Sequence, residues 1–204
     1  MSSLPRDGKV LLFDLGGVLV ENRGREGLTA MLTVPLAAAE MWAKWLGSPV
    51  VRDFERGLID SDAFASAFVA EWDIELEPAA FIEAFATWPR DLYAGAEVLL
   101  RGLKGRHHLA CLSNTNAIHW QRFPQLAALL DSCFLSHEMG LVKPDREAFE
   151  FTLARLDVAP QDVYFFDDLL PNVATARDLG MHAFQVEDFS GIEPVLRRER
   201  LLAP

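Results

Sequence analysis

The fold of this chain is decided by residues 10–20, which read Val-Leu-Leu-Phe-Asp-Leu-Gly-Gly-Val-Leu-Val. The apolar run predicts a buried strand, and a single carboxylate, Asp14, stands where that strand should end. Gly16 and Gly17 allow the backbone to turn sharply and to approach a ligand closely. An unpaired charge in an apolar strand is strongly unfavourable, so Asp14 requires a cation, hydrogen bonds or a chemical role. Capping of the following turn is the plainer alternative.

The composition indicates an ordered globular protein with an acidic surface. The chain has 204 residues, half of them hydrophobic, and 19 Lys and Arg against 30 Asp and Glu give a net charge of −11. This length suits one or two domains. The negative charge disfavours general binding to nucleic acid or to anionic membranes, so we expect a small-molecule partner. The sequence does not indicate an oligomeric state.

The N-terminal apolar run does not match a signal peptide, because Asp14 interrupts it and no small-residue cleavage site follows. No stretch reaches the roughly 18 apolar residues of a membrane-spanning helix. Only two cysteines occur, Cys111 and Cys133, and both lie in apolar runs typical of core thiols. We therefore expect a soluble cytoplasmic protein.

The pattern of apolar residues divides the chain into a helical insert and an α/β core. Residues 21–90 predict helices at 35–46, 61–72 and 78–87, with no strand-like alternation. From residue 94 onward, helices alternate with short apolar strands at 108–113, 133–136, 163–166 and 182–186. This alternation predicts a Rossmann-like parallel sheet with helices on both faces. The predicted domains are a core of residues 1–20 and 91–204 and a small all-helical cap of residues 21–90.

Polar residues follow each of the first four predicted core strands. They are Asp14, then Ser113 with Asn114, then a loop that carries Lys143, then Asp167 with Asp168. Ligands of open α/β sheets bind beyond the carboxyl ends of the strands. We therefore expect these side chains to form one site.

The residue types at these strand ends are suited to phosphoryl transfer. Mg²⁺ prefers oxygen ligands and usually binds one or two carboxylates, which Asp14 and Asp168 can provide with the Gly16 carbonyl as a third ligand. Asp14 can also be the nucleophile, because aspartates form aspartyl-phosphate intermediates. Ser113 and the Asn114 amide offer donors to phosphoryl oxygens, and Lys143 offers a compact positive charge.

The same residues lie in four segments that resemble the motifs of the haloacid dehalogenase-like hydrolases. These segments are Phe13–Leu19, Leu112–Asn116, Gly140–Asp145, and Phe165–Asp168 with Asn172 and Gly180. Their order and spacing match over the whole chain, and their form is most similar to the branch with α-D-glucose-1-phosphate phosphatase and the phosphatase domain of soluble epoxide hydrolase. The resemblance implies an Mg²⁺-dependent phosphatase whose helical insert is a cap domain.

The resemblance also implies a role for each matching residue. Asp14 matches the nucleophile and a metal ligand, and Asp168 matches the other acidic metal ligand. Ser113 and Asn114 match the phosphate-binding pair, and Lys143 matches the stabilising lysine. Two further residues, Asp167 and Asn172, match positions that hold these groups in place.

One position departs from the family pattern. Most family phosphatases carry a second Asp two residues after the nucleophile as general acid and base, whereas this chain has Gly16. Three interpretations follow. The protein is a phosphatase with another proton source, a metal-independent 2-haloacid dehalogenase whose halide leaving group needs no proton, or a binding protein with weak or no activity.

Several side chains outside the motifs are candidates for substrate contact. His119 and His137 follow motif loops and could replace the missing acid, and His137 is the better candidate because it lies near Lys143 in sequence. A cap loop with Arg52, Glu55 and Arg56 could dip toward the site, although a solvated loop is the simpler expectation. Four tryptophans in or beside the cap helices could line a substrate pocket but more simply pack the cap core: Trp42, Trp45, Trp72 and Trp88.

Overall fold

The computed structural model describes residues 8–202. The strands are β1 (Val10–Phe13), β2 (Val20–Asn22), β3 (Pro89–Leu92), β4 (His108–Ser113), β5 (Ser132–Leu135), β6 (Val163–Asp167) and β7 (His182–Gln185). The helices are α1 (Gly24–Met31), α2 (Ala38–Gly47), α3 (Pro49–Glu55), α4 (Ser61–Trp72), α5 (Pro78–Phe85), α6 (Ala96–Leu103), α7 (Ala117–Trp120), α8 (Pro124–Leu129), α9 (Ser136–Met139), α10 (Arg146–Leu156), α11 (Leu170–Asp178) and α12 (Ile192–Arg198). Among these residues, no helix is both long enough and apolar enough to cross a membrane.

Five parallel strands form the main sheet in the order β5-β4-β1-β6-β7. The central strand, β1, is fully buried, as its uninterrupted apolar sequence predicts for a strand covered on both faces. Alternate side chains of β1 enter two separate apolar layers: Leu11 and Phe13 pack on one side, and Val10 and Leu12 on the other. The predicted Rossmann-like architecture is confirmed.

The strand order reverses at β1. The chain first adds β4 and β5 on one side of β1, and then returns to add β6 and β7 on the other. The carboxyl end of β1 therefore faces the crevice between two diverging connections, which is the usual ligand position in such sheets. Asp14, the first residue after β1, lies at this crevice and continues the sheet pairing through its N–H, which donates to the Phe166 carbonyl at 2.8 Å.

Helices α1 to α5 form a cap with an apolar core of its own. Asp60 caps the start of α4 by accepting from the Ala63 N–H at 2.9 Å, and Ser48 accepts from the Val51 N–H at the start of α3. The four-residue spacing of Phe64 and Phe68 places both rings on the buried face of α4. The cap core consists largely of such rings, which include Phe54, Phe64, Phe68, Trp72, Phe81, Phe85 and Trp88.

Two short strands at the ends of the helical insert add to the predicted helices. β2 leaves the core and pairs antiparallel with β3, which returns to it, so a two-stranded ribbon joins cap and core. The helices α1 and α3 were not expected from the sequence. Between β4 and β5 the chain forms two short helices, α7 and α8, and Pro124 occupies the first turn of α8.

The cap contacts the core on both sides of the edge formed by the carboxyl ends of the strands. On one side, Arg52 and Arg56 both donate to Asp145 Oδ2, at 2.5 and 2.9 Å. Asp145 belongs to the core and lies two residues after Lys143. On the other side, the His119 ring of the core stacks on Phe85 of α5 with ring centroids 4.3 Å apart. These contacts hold the cap over the strand ends.

Gly57, just after α3, allows the close approach between cap and core. Its φ is +71°, and a Cβ at this position would lie 2.5 Å from the main-chain oxygen of His137. We expect Gly57→Ala to destabilise the protein by more than about 1 kcal/mol, because a left-handed alanine costs roughly 1–2 kcal/mol before the clash is relieved. Chemical denaturation measures this loss.

The matched control is Gly47→Ala at the end of α2, where nothing lies within 4 Å of the added Cβ. Alanine there is expected to leave stability unchanged or to raise it by up to about 1 kcal/mol. Equal effects of the two substitutions would contradict the proposed role of Gly57 in cap docking.

Candidate active site

The structure brings the predicted strand-end residues together. Asp14 follows β1, Ser113 ends β4, and Asp167 ends β6 with Asp168 next to it. Lys143 comes from the loop between α9 and α10 and reaches the same edge. All of these except Asp167 line one cavity.

Lys143 bridges two of the carboxylates. Its Nζ lies 2.9 Å from Asp14 Oδ1 and 2.6 Å from Asp167 Oδ2, and the residue is only 3% exposed. Burial alone would lower the pKa of Lys143, but the Asp14 and Asp167 carboxylates raise it above its usual range. The lysine therefore remains charged near neutral pH.

Asp167 supports the site from beneath. It is fully buried, and besides Lys143 it accepts from the Asn172 amide at 2.9 and 3.0 Å and from the Leu169 N–H at 2.8 Å. Both of its oxygens are thereby engaged by donors. This position agrees with the expectation that Asp167 and Asn172 hold other groups in place.

The carboxylates of Asp14, Asp167 and Asp168 are crowded, with ligand oxygens within 4.8 Å of one another. Burial, followed by the charges of Asp14 and Asp167, raises the pKa of Asp168 to about 7. Burial also raises the pKa of Asp14, and the neighbouring Lys143 only partly offsets this. Three carboxylates around one lysine leave excess negative charge, so the donor set fits a hard divalent cation such as Mg²⁺. Asp14 and Asp168 are the residues available to hold it.

The side-chain amide of Asn114 has a structural task that the sequence did not reveal. Its Nδ2 donates to the Lys143 carbonyl at 2.9 Å, and its Oδ1 accepts from the Lys143 N–H at 2.8 Å. These two hydrogen bonds anchor the loop that carries Lys143 to the end of β4. A contact between Asn114 and phosphate would therefore come from its main chain.

The two glycines after Asp14 have different structural roles. Gly17 has a φ of +82°, and a Cβ there would lie 2.8 Å from Asp168 Oδ2, so the turn brings the backbone against the second acidic residue. Gly16 has no such backbone requirement, but a Cβ there would meet the Asn22 amide nitrogen at 2.9 Å. A side chain at position 16 would therefore have to displace the Asn22 amide.

A cavity of about 420 Å³ lies between the strand ends and the cap. The core side carries the charged groups described above, whereas the cap side is largely apolar and aromatic. Three of the four tryptophans considered in the sequence, Trp42, Trp45 and Trp88, line this cavity. Trp72 instead packs in the cap core, stacked on Phe68 with ring centroids 5.1 Å apart.

Neither histidine is suited to replace the missing acid. His137, the preferred candidate from sequence, is not among the residues that line the cavity. His119 lines it, but its Nε2 bonds to the Phe85 carbonyl at 2.9 Å and its Nδ1 lies 3.2 Å from the Asn116 amide. Burial lowers the pKa of His119 to about 4, so its ring is neutral near pH 7. The contacts of His119 with Phe85 therefore join core and cap, and neither histidine is placed to act as the acid.

Glu55 lines the cavity from the cap side, as the possibility of a dipping cap loop had suggested. It belongs to helix α3 rather than to a loop, and seven residues are too few for a periodic pattern to reveal the helix in the sequence. Tyr93 and Asn22 also line the cavity, and nothing in their sequence context distinguished them.

A model of one protein family, described as haloacid dehalogenase-like hydrolase, matches residues 9–180. The chain belongs to the haloacid dehalogenase-like hydrolases. The resemblance seen in the four strand-end segments is therefore confirmed, and the chain is a hydrolase related to known phosphatases.

Relatives of this hydrolase include two named phosphatases. D-ribitol-5-phosphate phosphatase of Bacteroides thetaiotaomicron is 27% identical over 190 residues, which cover 88% of this chain and 92% of the relative. A sesquiterpene phosphatase of Aspergillus oryzae is 30% identical over 192 residues, covering 88% of this chain and 90% of the relative. Among solved structures, a family enzyme from B. thetaiotaomicron in complex with magnesium and inorganic phosphate has a TM-score of 0.70 and 24% identity, covering 87% of this chain and 93% of that one.

Proposed function

We propose that this protein is an Mg²⁺-dependent phosphomonoester hydrolase that acts through an aspartyl-phosphate intermediate on Asp14. The observation that carries this proposal is the convergence of Asp14, Lys143 and Asp168 at the switch point of the sheet, on the floor of one cavity. Phosphatases among the relatives, and the magnesium and phosphate bound by a similar structure, support it.

In this reaction an Asp14 carboxylate oxygen attacks the substrate phosphorus. Lys143 holds Asp14 Oδ1 at 2.9 Å, which orients the carboxylate and places a positive charge beside the transferring group. Ser113 and the Asn114 main chain offer donors to the phosphoryl oxygens. Asp14, Asp168 and the Gly16 carbonyl would hold Mg²⁺, which when bound neutralises charge on the phosphoryl group.

The substrate that best fits the cavity is a small phosphorylated metabolite, with a sugar phosphate among the candidates. The phosphate would lie at the charged floor, and the remainder of the molecule would contact Trp42, Trp45 and Trp88. Aromatic rings of this kind can pack on the faces of sugars as well as on hydrocarbon. The two named relatives act on a polyol phosphate and on sesquiterpene phosphates according to their names, so both classes are test substrates.

The test is a screen of sugar phosphates, polyol phosphates, isoprenoid monophosphates and p-nitrophenyl phosphate, with and without Mg²⁺. Phosphate release that requires Mg²⁺ is expected for at least one substrate. Halide release from 2-chloropropionate in EDTA would instead support the dehalogenase interpretation. Tight retention of a ligand without turnover would support the interpretation as a binding protein with weak or no activity.

The substitution Asp168→Asn is expected to raise the Mg²⁺ concentration for half-maximal activity by about 10-fold or more, because it removes a charged ligand. In the unsubstituted protein, the pKa of Asp168 is raised to about 7 before metal binds. Protons therefore compete with Mg²⁺ below that pH, and the apparent Mg²⁺ affinity should fall as the pH drops from 8 to 6. Magnesium titrations of activity at several pH values measure both effects, and a pH-independent Mg²⁺ requirement would contradict this assignment.

A further inference from the structure

The proposed reaction needs a proton that position 16 cannot supply. Breaking an ester bond leaves an alkoxide unless an acid protonates the leaving oxygen, and such an acid contributes about 10²–10⁴ in rate. Gly16 has no side chain, and Asn22 occupies the adjacent space. The proton source must therefore be sought among the other residues that line the cavity.

Few of the titratable side chains that line the cavity are candidates for the proton donor. Asp14 is the proposed nucleophile, Asp168 a proposed metal ligand, and Lys143 is held in its charged form between two carboxylates. The ring of His119 is neutral and engaged at both nitrogens. Two further glutamates, Glu26 and Glu187, are exposed to solvent. Glu55 and Tyr93 remain.

Contacts at the end of α3 hold Glu55 at the wall of the cavity. Arg52 lies three positions before Glu55 in this helix, so the two side chains are neighbours on its surface, and Arg56 follows directly after the helix. Arg52 and Arg56 bind Asp145 of the core, two residues beyond Lys143. The contact between Gly57 and the His137 main chain brings the same end of the helix close to the core. Glu55, between these anchors, is thereby held at the cavity.

We propose that Glu55 is the general acid and base of this phosphatase, delivered by the cap in place of the missing core aspartate. This inference rests on the proposed phosphatase function. In the first step Asp14 attacks phosphorus, the bond from phosphorus to the leaving oxygen breaks, and the proton of the Glu55 carboxylic acid passes to that oxygen. In the second step a water attacks the aspartyl phosphate, its proton returns to Glu55, and the bond from phosphorus to Asp14 breaks. Inorganic phosphate leaves, and both carboxyl groups are restored.

The environment of Glu55 matches an acid that works near neutral pH. Burial raises the pKa of Glu55 to about 7, and the charge of Asp14 adds to this. The opposing groups are Lys143, Arg52 and the hydrogen-bonding side chain of Trp45, which favour the carboxylate. A group with such a pKa can donate and accept a proton in alternation at pH 7.

The test compares Glu55→Gln with the unsubstituted protein, both loaded with Mg²⁺, on two substrates of similar shape. Phenyl phosphate has a poor leaving group that needs protonation, whereas p-nitrophenyl phosphate has a good one. The variant is expected to lose about 10²-fold or more in kcat/KM on phenyl phosphate. On p-nitrophenyl phosphate it should release one p-nitrophenol per enzyme in a rapid burst and then turn over slowly, because hydrolysis of the aspartyl phosphate lacks its base.

The pH profile provides a second readout that a purely structural role would not change. With phenyl phosphate, kcat/KM of the unsubstituted protein should fall as the pH rises above about 7, where Glu55 loses its proton. Glu55→Gln should lack this decline. The control Glu83→Gln removes an exposed carboxylate of the cap helix α5, outside the cavity, and should behave like the unsubstituted protein.

Equal losses on both substrates without a burst, or no loss at all, would overturn the role of Glu55 while the phosphatase function stands. Loss of the pH decline in Tyr93→Phe rather than in Glu55→Gln would also overturn it and assign the proton to Tyr93. Turnover of neither substrate by the unsubstituted protein would overturn both proposals. Thermal melting of each variant verifies that it is folded.

Discussion

Replacing Asp14 by Asn is expected to abolish phosphate release while leaving the protein folded. The amide cannot form an aspartyl phosphate, and it is a poorer ligand for Mg²⁺ than a carboxylate. In subtilisin, loss of the nucleophile lowers kcat by about 10⁶-fold. We expect activity on every substrate of the screen to fall to the background rate, which assays of phosphate release at high enzyme concentration measure.

Asp14→Asn should raise the stability of the metal-free protein. The pKa of Asp14 is raised in the folded state, chiefly by burial, so folding disfavours its charged form. Near pH 7 the ionised group therefore destabilises the fold, and a neutral amide removes this effect. Asp178→Asn, at an exposed position at the end of α11, is the matched control and should change neither activity nor stability. A marked loss of stability in Asp14→Asn would contradict this account.

Replacing Lys143 by Met is expected to damage both stability and activity. The substitution removes the cation that lies 2.9 Å from Asp14 and 2.6 Å from Asp167, and Asp167 is fully buried. Leaving a buried charge without its partner costs about 3–5 kcal/mol. Urea denaturation near pH 7 should show a loss of this size, and phosphate release should fall with it because the charge beside the transferring group is gone.

A second substitution separates the loss of charge pairing from the loss of packing. The double variant Lys143→Met with Asp167→Asn removes the uncompensated carboxylate and should regain part of the lost stability, but no activity. Lys9→Met provides the control, because the Lys9 side chain pairs with Asp162 at 2.5 Å in a partly exposed ion pair. That change should cost at most about 1 kcal/mol. If the double variant were less stable than the single one, the charge argument would fail.

The core of the site was predictable because buried parallel strands leave a clear signature. Each runs as an uninterrupted apolar segment and ends at a polar residue, so Asp14, Ser113 and Asp168 could be placed at one edge without knowledge of any contact. Lys143 was less evident from its own segment, because it lies well beyond the end of β5. Its place depended on the resemblance to the family as well as on the residue type.

The features that the sequence did not reveal depend on contacts between distant residues. The reciprocal pairing of Asn114 with the Lys143 main chain joins positions 29 residues apart, and no local pattern marks it. The strands of the β2–β3 ribbon are too short for an alternating pattern to stand out. The sequence also did not distinguish the tryptophans that line the cavity from Trp72 in the cap core, because this depends on how the cap packs over the sheet. His137 was misplaced for a similar reason: nearness in sequence to Lys143 did not bring it into the cavity.

The β2–β3 ribbon brings the start and the end of the helical insert together at one point. The chain leaves the core at β2 and returns beside it at β3, so replacing the insert would not require a change in the sheet, the carboxylates or the lysine. With Glu55 as the acid, exchange of the insert would transfer substrate preference and proton supply together. A descendant that acquired a new cap would then inherit a new reactivity toward leaving groups along with a new choice of substrate.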